Sequence, residues 1–255
     1  MNTKLSITSL FFALFLTACN SSASSDAKKI EVKQVAATSS AVAEPTESAA
    51  STSVAKTDDS MKLASAGFIE GQHYVKLIPE MSTDVAPGKI EVAELFWFGC
   101  PHCYSMEPTI IKYKQNHPEY VEFKQVPAML NPSWAADANT FFIADILDPT
   151  ASKDMVTKIF QSIHDQKRRL RSPKAVVRFF VEQGYTEEQV AAVKSSLAFQ
   201  TKLVRAQEFG RGAQANSVPS MIVNGKYRTS PAMAGGNQKV MEVVRLLAEK
   251  ENKSK

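Results

Sequence analysis

Hydrophobic and polar positions alternate in several distinct ways along this chain. Ile90 to Phe98, IEVAELFWF, is an almost continuous apolar run broken only by Glu91 and Glu94, which predicts a strand buried on both faces. After Cys103, residues Met106, Ile110 and Tyr113 recur at helical spacing, so a helix should open at the cysteines. Pro108 falls inside it and should kink it, because its ring removes a backbone donor. Tyr120 to Val126, YVEFKQV, alternates like a second strand. From Pro132 to about Ala215 the period is helical, with Ser172-Pro173 as a start signal and Gly184 as a break, so several helices are expected there. Pro219 to Gly225 reads as a strand, Asn224-Gly225 as a hairpin turn, and Lys226 to Arg228 as the start of the return strand. Gly235-Gly236 precede a last amphipathic helix carrying Val240, Val243, Val244 and Leu247. The order is strand, helix, strand, helical block, hairpin, helix. That order predicts an α/β fold, a small sheet with a helical insertion in its middle.

The first residues follow another pattern. Lys4 supplies a positive charge, and Leu5 to Leu16 form an apolar run of about a dozen residues, the length of a signal peptide and too short to span a bilayer. Leu16-Thr17-Ala18-Cys19 resembles the bacterial lipobox, so residues 1–18 are expected to be cleaved and Cys19 to be the site of lipidation. Asn20 to Ala66 contain no Phe, Trp or Tyr and have no hydrophobic period. Such a composition buries too little surface to offset chain entropy, so residues 19–66 are expected to be a disordered, lipid-anchored tether with a reach of roughly 40 Å. Folding should begin near Phe68, giving a folded domain over 67–250 whose helical insertion covers 131–211.

Composition adds exclusions. Apolar residues make up 44% of the 255, ordinary for a chain with a core, and the net charge is only +4 with its basic residues scattered, which does not suggest nucleic acid. A basic run, Lys167-Arg168-Arg169 with Arg171, reads as a solvated face, with a docking patch for an acidic partner as the alternative. The chain has three cysteines. Lipidation uses Cys19, leaving Cys100 and Cys103. A disulfide between residues so close constrains the unfolded chain little, so in an oxidising compartment it is a candidate for chemistry more than for stapling.

The strand-to-helix junction places Cys100 at a helix N-terminus, where first-turn N–H groups and the helix dipole favour a thiolate. Protonated His102 adds a nearby cation, and Pro101 fits the first turn because its missing N–H would be unpaired there. Each unit of depressed pKa is about 1.4 kcal/mol of thiolate stabilisation. That energy belongs to the reduced form, so it makes the disulfide a stronger oxidant. Cys103, one turn in, is expected to be buried and to act as the resolving thiol. Rival uses of the pair are weaker. A c-type haem needs His directly after the second cysteine, where Tyr104 stands. Structural zinc needs four ligands, and His73, His117 and His164 are scattered. An inert exposed disulfide is the remaining alternative.

Two segments carry a family resemblance. ELFWFGCPHCY (Glu94 to Tyr104) and SVPSMIVNGKY (Ser217 to Tyr227) resemble the DsbA family of thiol:disulfide oxidoreductases, over about Phe68 to Leu247. The resemblance implies a thioredoxin-like fold, its halves at 67–130 and 212–250, with the inserted helical domain between them. It implies that Cys100 is the nucleophile, that Cys103 resolves the mixed disulfide, and that Val218-Pro219 is a cis-proline loop pairing with substrate backbone. Glu94 matches a buried acid that helps move protons beneath the site, and Lys124 falls where that acid's partner often lies. A carboxylate in an apolar strand is costly unless paired or protonated, which supports Glu94 independently. The plainer alternatives are a solvent-facing edge for Glu94, a solvated strand face for Lys124, an inconsequential exposed His102 and a trans Pro219 opening a strand. Ser217 and Ser220 depart from the Gly and Ala often found around the loop, and the tether and lipobox resemble membrane-anchored members.

The combined expectation is a periplasmic, lipid-anchored dithiol oxidase that introduces disulfides into reduced exported proteins, with no metal or organic cofactor beyond its own Cys100–Cys103 disulfide. By resemblance, a DsbB-type quinone-linked membrane oxidase would reoxidise it. A reductase or isomerase on the same fold, and a non-catalytic binding or chaperone lipoprotein, remain open.

Overall fold

The structure, a computed structural model, describes residues 54–254. The signal segment 1–18, Cys19 and the tether as far as residue 53 lie outside the described residues. Five strands form one sheet: β1 (Tyr74–Lys76), β2 (Ile90–Phe96), β3 (Val121–Pro127), β4 (Ser220–Val223) and β5 (Tyr227–Thr229), in the order β1-β5-β4-β2-β3. Only β2 and β3 run parallel; the other neighbours are antiparallel. A parallel pair needs a crossover, and α2 (Pro101–Asn116) supplies it. All seven residues of β2 are buried, as expected of a central strand covered on both faces.

The helical stretch resolves into a 3₁₀ turn over Pro132–Trp134 and five helices: α3 (Ala135–Leu147), α4 (Met155–His164), α5 (Pro173–Glu182), α6 (Glu187–Ser195) and α7 (Leu197–Gly212). The Ser172-Pro173 signal works as read. Ser172 caps α5 by accepting from the Ala175 N–H, with proline in the first turn. Thr186 and Gln189 form a reciprocal capping box on α6. Asn224 and Gly225 both have positive φ (51° and 65°), which suits the tight β4–β5 hairpin. Gly225 is required for a second reason: a Cβ there would lie 2.3 Å from the Met81 carbonyl oxygen. After β5 come α8 (Pro231–Ala234) and α9 (Asn237–Lys253).

The core has two parts, one on each sheet face. Ile90 and Val92 of β2, Met106 and Ile110 of α2, and Val240, Val243, Val244 and Leu247 of α9 form one. Ala93 and Leu95 of β2, Phe96, Phe98, and the aromatic side chains Phe141, Phe160 and Phe180 of the inserted helices form the other. From Ile90 to Leu95 the alternation of β2 aims successive side chains at different layers, and Phe96, at the end of the strand, joins the layer of Ala93 and Leu95.

One expectation is corrected and one element is added. The tether was expected to run unstructured through Ala66, yet α1 (Val54–Ser65) is helical. Leu63 on it is 1% exposed within the core, and Lys62 pairs with Glu249 of α9 at 2.6 Å. Among its described side chains, one apolar anchor and one ion pair hold this helix, too few to stand out as a period. The first strand, β1, was not anticipated; it spans three residues and takes its place by pairing with β5. Pro108 lies within α2 on an exposed position, and the helix continues past it to Asn116.

Candidate active site

Cys100 is the N-cap of α2, with extended backbone (φ −87°, ψ 118°) and Pro101 in the first turn. Its own N–H donates to the Trp97 carbonyl at 3.0 Å, and its carbonyl accepts from the Tyr104 N–H at 3.1 Å. Between β2 and this cap, Gly99 makes room for the Trp97 ring, since a Cβ would come within 2.3 Å of it. That ring stacks on Trp134 (centroids 4.3 Å apart) and its indole N–H donates to the buried Asp137 carboxylate. Phe98 packs edge-on against Phe96 and Phe160. From the inserted domain, His164 Nε2 lies 2.7 Å from the Phe98 carbonyl oxygen, and its ring stacks on Tyr104, whose hydroxyl donates to Asp165. The cysteine loop is thus fixed from the helical insertion as well as from the sheet.

The two thiols have opposite characters. Cys103 is fully buried and Cys100 is 8% exposed. The Cys100 pKa is lowered from 9.0 to about 6. Hydrogen bonding from the Cys103 thiol is the largest cause; burial opposes it, and the N–H groups of Cys103 and His102 and the His102 charge assist. His102 itself is exposed, and its charge comes last among these contributions. Cys103 is pushed far up by burial first, then by its bond to Cys100 and by the charge of Glu94. An acidic thiol that keeps a small exposed area and a reluctant one fully buried beneath it form the asymmetric pair that thiol exchange uses.

Opposite the thiols, Val218-Pro219 is cis, and the Cys100 thiol lies 3.6 Å from the Val218 carbonyl oxygen. The residues that flank this loop account for each other. The Ser220 hydroxyl, fully buried, donates to the Ser217 carbonyl at 2.9 Å and closes the turn.

Beneath Cys103, Glu94 is buried as expected, and its pKa is raised from 4.5 to about 8, by burial first and then by the charge of Glu107. Its partner is not Lys124. Gln125 Nε2 donates to Glu94 at 2.8 Å and lies 3.4 Å from Glu107, while Lys114 donates to the side-chain amide oxygen of Gln125. Lys124 instead pairs with Glu91 at 2.5 Å. The register explains the correction. Glu94 stands beside Gln125, whereas Lys124 stands beside Ala93, and neighbours along a strand face opposite sides. Glu107, Gln125 and Glu91 were not foreseen. Glu107 had a visible signal: it shares the buried stripe of α2 with Cys103, Met106 and Ile110. Among the described residues no group of three or more His, Cys, Asp or Glu comes together as a metal-ligand set, and no helix is long and apolar enough to cross a membrane.

An acidic thiol at a helix start, a buried thiol one turn on and a cis-proline loop across from them, on a thioredoxin-like sheet with inserted helices, define a thiol:disulfide oxidoreductase. Comparison with known proteins narrows the class. Residues 135–248 match the DSBA-like thioredoxin domain. DsbA of Pseudomonas aeruginosa PAO1 is 33% identical over 72% of this chain and 86% of its own length. DsbA of Pseudomonas syringae pv. tomato DC3000 is 35% identical over 71% and 83%. The crystal structure of Pseudomonas aeruginosa DsbA superposes with a TM-score of 0.69 at 32% identity, over 74% of this chain and 97% of that one. The chain belongs to the DsbA family of thiol:disulfide interchange proteins.

Proposed function

We propose that this protein is a periplasmic dithiol oxidase, held at a bacterial membrane through lipid on Cys19, that introduces disulfides into reduced exported proteins. The observation that carries the reading is the asymmetry of the thiols, with Cys100 acidic at the mouth of the site and Cys103 buried and strongly basic beneath it. In the oxidised enzyme a substrate thiolate attacks the Cys100 sulfur. The bond to Cys103 breaks, and the Cys103 sulfur takes up a proton, for which the neutral carboxyl of Glu94 is the nearby source. The substrate's second thiolate then attacks its own sulfur of the mixed disulfide and expels Cys100 as a thiolate. The substrate loses two electrons and the enzyme disulfide gains them, with no metal or organic group in the balance. Low basicity at Cys100 makes it a good leaving group, which favours release of oxidised substrate.

The His102 side chain beside the thiol and Pro101 at the helix start help keep the Cys100 thiolate in place. The Val218 carbonyl and Pro219 offer an edge for the substrate backbone. Lys124 takes no part at the thiols and serves as the counter-charge of Glu91. A DsbB-type quinone-linked oxidase would return the pair to the disulfide. Substitution tests the proposal: Cys100→Ser should abolish oxidation of exported proteins, and Cys103→Ser should accumulate mixed disulfides through Cys100. Full oxidase activity in Cys100→Ser would overturn it.

A further inference from the structure

Residues 167–178, KRRLRSPKAVVR, hold six cations and no acidic residue. Without them the net charge of +4 would become negative. They cover the α4–α5 connection and most of α5. Arg168 and Arg178 share one carboxylate, Glu182, at 2.6 and 3.1 Å. Lys167, Arg169 and Lys174 are exposed and have no ion pair among the described residues. The surface is concave: a cavity of about 590 Å³ is lined by Arg168, Arg169, Lys174 and Arg178, with Glu182 as its one acid.

This strip is tied to the cysteine loop. The Arg171 guanidinium sits over the Trp97 ring, 5.7 Å from its centroid, and the Trp97 ring fills the space beside Gly99. On the other flank His164 and Asp165, just before the strip, contact the Phe98 carbonyl and the Tyr104 hydroxyl. The main causes of the acidity of Cys100 are its contacts with Cys103 and His102, and no residue of the strip is among them. Its field acts on what approaches. An anionic bilayer face would combine such cations with apolar side chains. Among the described residues the large exposed apolar side chains Met61, Ile69, Ile78, Leu197 and Val204 belong to other segments, and only Val181 belongs to α5.

We propose that this basic strip is a docking surface for an acidic segment of the client protein next to its reacting cysteine, so that the enzyme selects thiols flanked by Asp and Glu. The inference rests on the oxidase reading and adds the class of substrate. Cleft-lined charge of one sign raises the encounter rate of its complement and does so less as salt is added.

The test uses the full chain in neutral detergent micelles and two peptides, each with a cysteine pair, one flanked by Asp and Glu and the other by Asn and Gln. Their oxidation is followed by stopped-flow tryptophan fluorescence across a salt series. The acidic peptide should react on the order of tenfold faster at low salt, with the advantage shrinking as salt rises. The double variant Arg169→Glu/Lys174→Glu should bring the acidic peptide down to the rate of the neutral one while the redox potential stays that of the parent. Equal rates for the two peptides, or an advantage that survives in the double variant, would overturn the inference. So would loss of binding to phosphatidylglycerol vesicles in the double variant with peptide rates untouched, which would assign the strip to lipid. If neither peptide is oxidised, the oxidase reading fails instead. The strip is then judged by calorimetric binding of a cysteine-free acidic peptide, which the double variant should lose and whose absence in the parent would overturn it.

Discussion

Replacing Glu94 with glutamine should stabilise the folded protein, and the gain should depend on pH in a defined way. Glu94 is 1% exposed, and its folded pKa is about 8 against an ordinary 4.5. A raised carboxyl value means that the folded state keeps a proton that the unfolded chain gives up. Stability is therefore undiminished below the unfolded value and is lost as pH rises through the window from 4.5 to about 8. At about pH 7 the loss amounts to about 3 kcal/mol, and above the folded value it levels off near about 5 kcal/mol. Glutamine has the same shape and still offers an oxygen to the Gln125 amide, but it has no proton to lose. Urea unfolding of the reduced parent and Glu94→Gln proteins at about pH 5, pH 7 and pH 9 would read the difference. The curves should differ by about 1 kcal/mol or less at the lowest pH, separate by about 3 kcal/mol near neutrality and separate further above it. A constant difference across pH, or a less stable variant at neutral pH, would refute the reasoning, because it would mean that Glu94 is ionised in the fold and paired.

Two further substitutions test the packing. Among the described residues, Lys124→Met leaves the carboxylate of buried Glu91 with only the Asp84 N–H beside it and should cost about 3 kcal/mol, with the Cys100 pKa and the redox potential unmoved, as checked by urea unfolding and thiolate absorbance. A changed potential would instead return Lys124 to the active-site network. Leu63→Ala should cost about 2–4 kcal/mol and shift the thermal midpoint downward in calorimetry if α1 is an integral part of the domain; an unchanged midpoint would return it to the tether.

The legibility of these features in the sequence follows from how local each one is. The β2 run, the Ser172-Pro173 cap, the Asn224-Gly225 turn and the start of α2 at the cysteines depend on neighbouring residues, and they stand in the structure where the pattern put them. The partner of Glu94 depends on the register between β2 and β3. An alternating strand tells which residues share a face, but not which face meets its neighbour, so Lys124 and Gln125 exchange roles with a shift of one residue. The acidity of Cys100 was assigned to the helix start and His102, while the largest contribution comes from the Cys103 thiol, whose approach to Cys100 is a matter of side-chain packing. The contacts of Trp97 with Trp134 and Arg171, and of His164 with Phe98, join segments far apart in the chain and have no local signature.

The direction of electron flow is the central claim, and the equilibrium of the Cys100–Cys103 pair with glutathione tests it most directly. An acidic Cys100 stabilises the reduced form, so the account predicts a potential well above the roughly −270 mV of thioredoxin, with the dithiol persisting in oxidising mixtures. A potential at or below that of thioredoxin would contradict the account and make the protein a reductase.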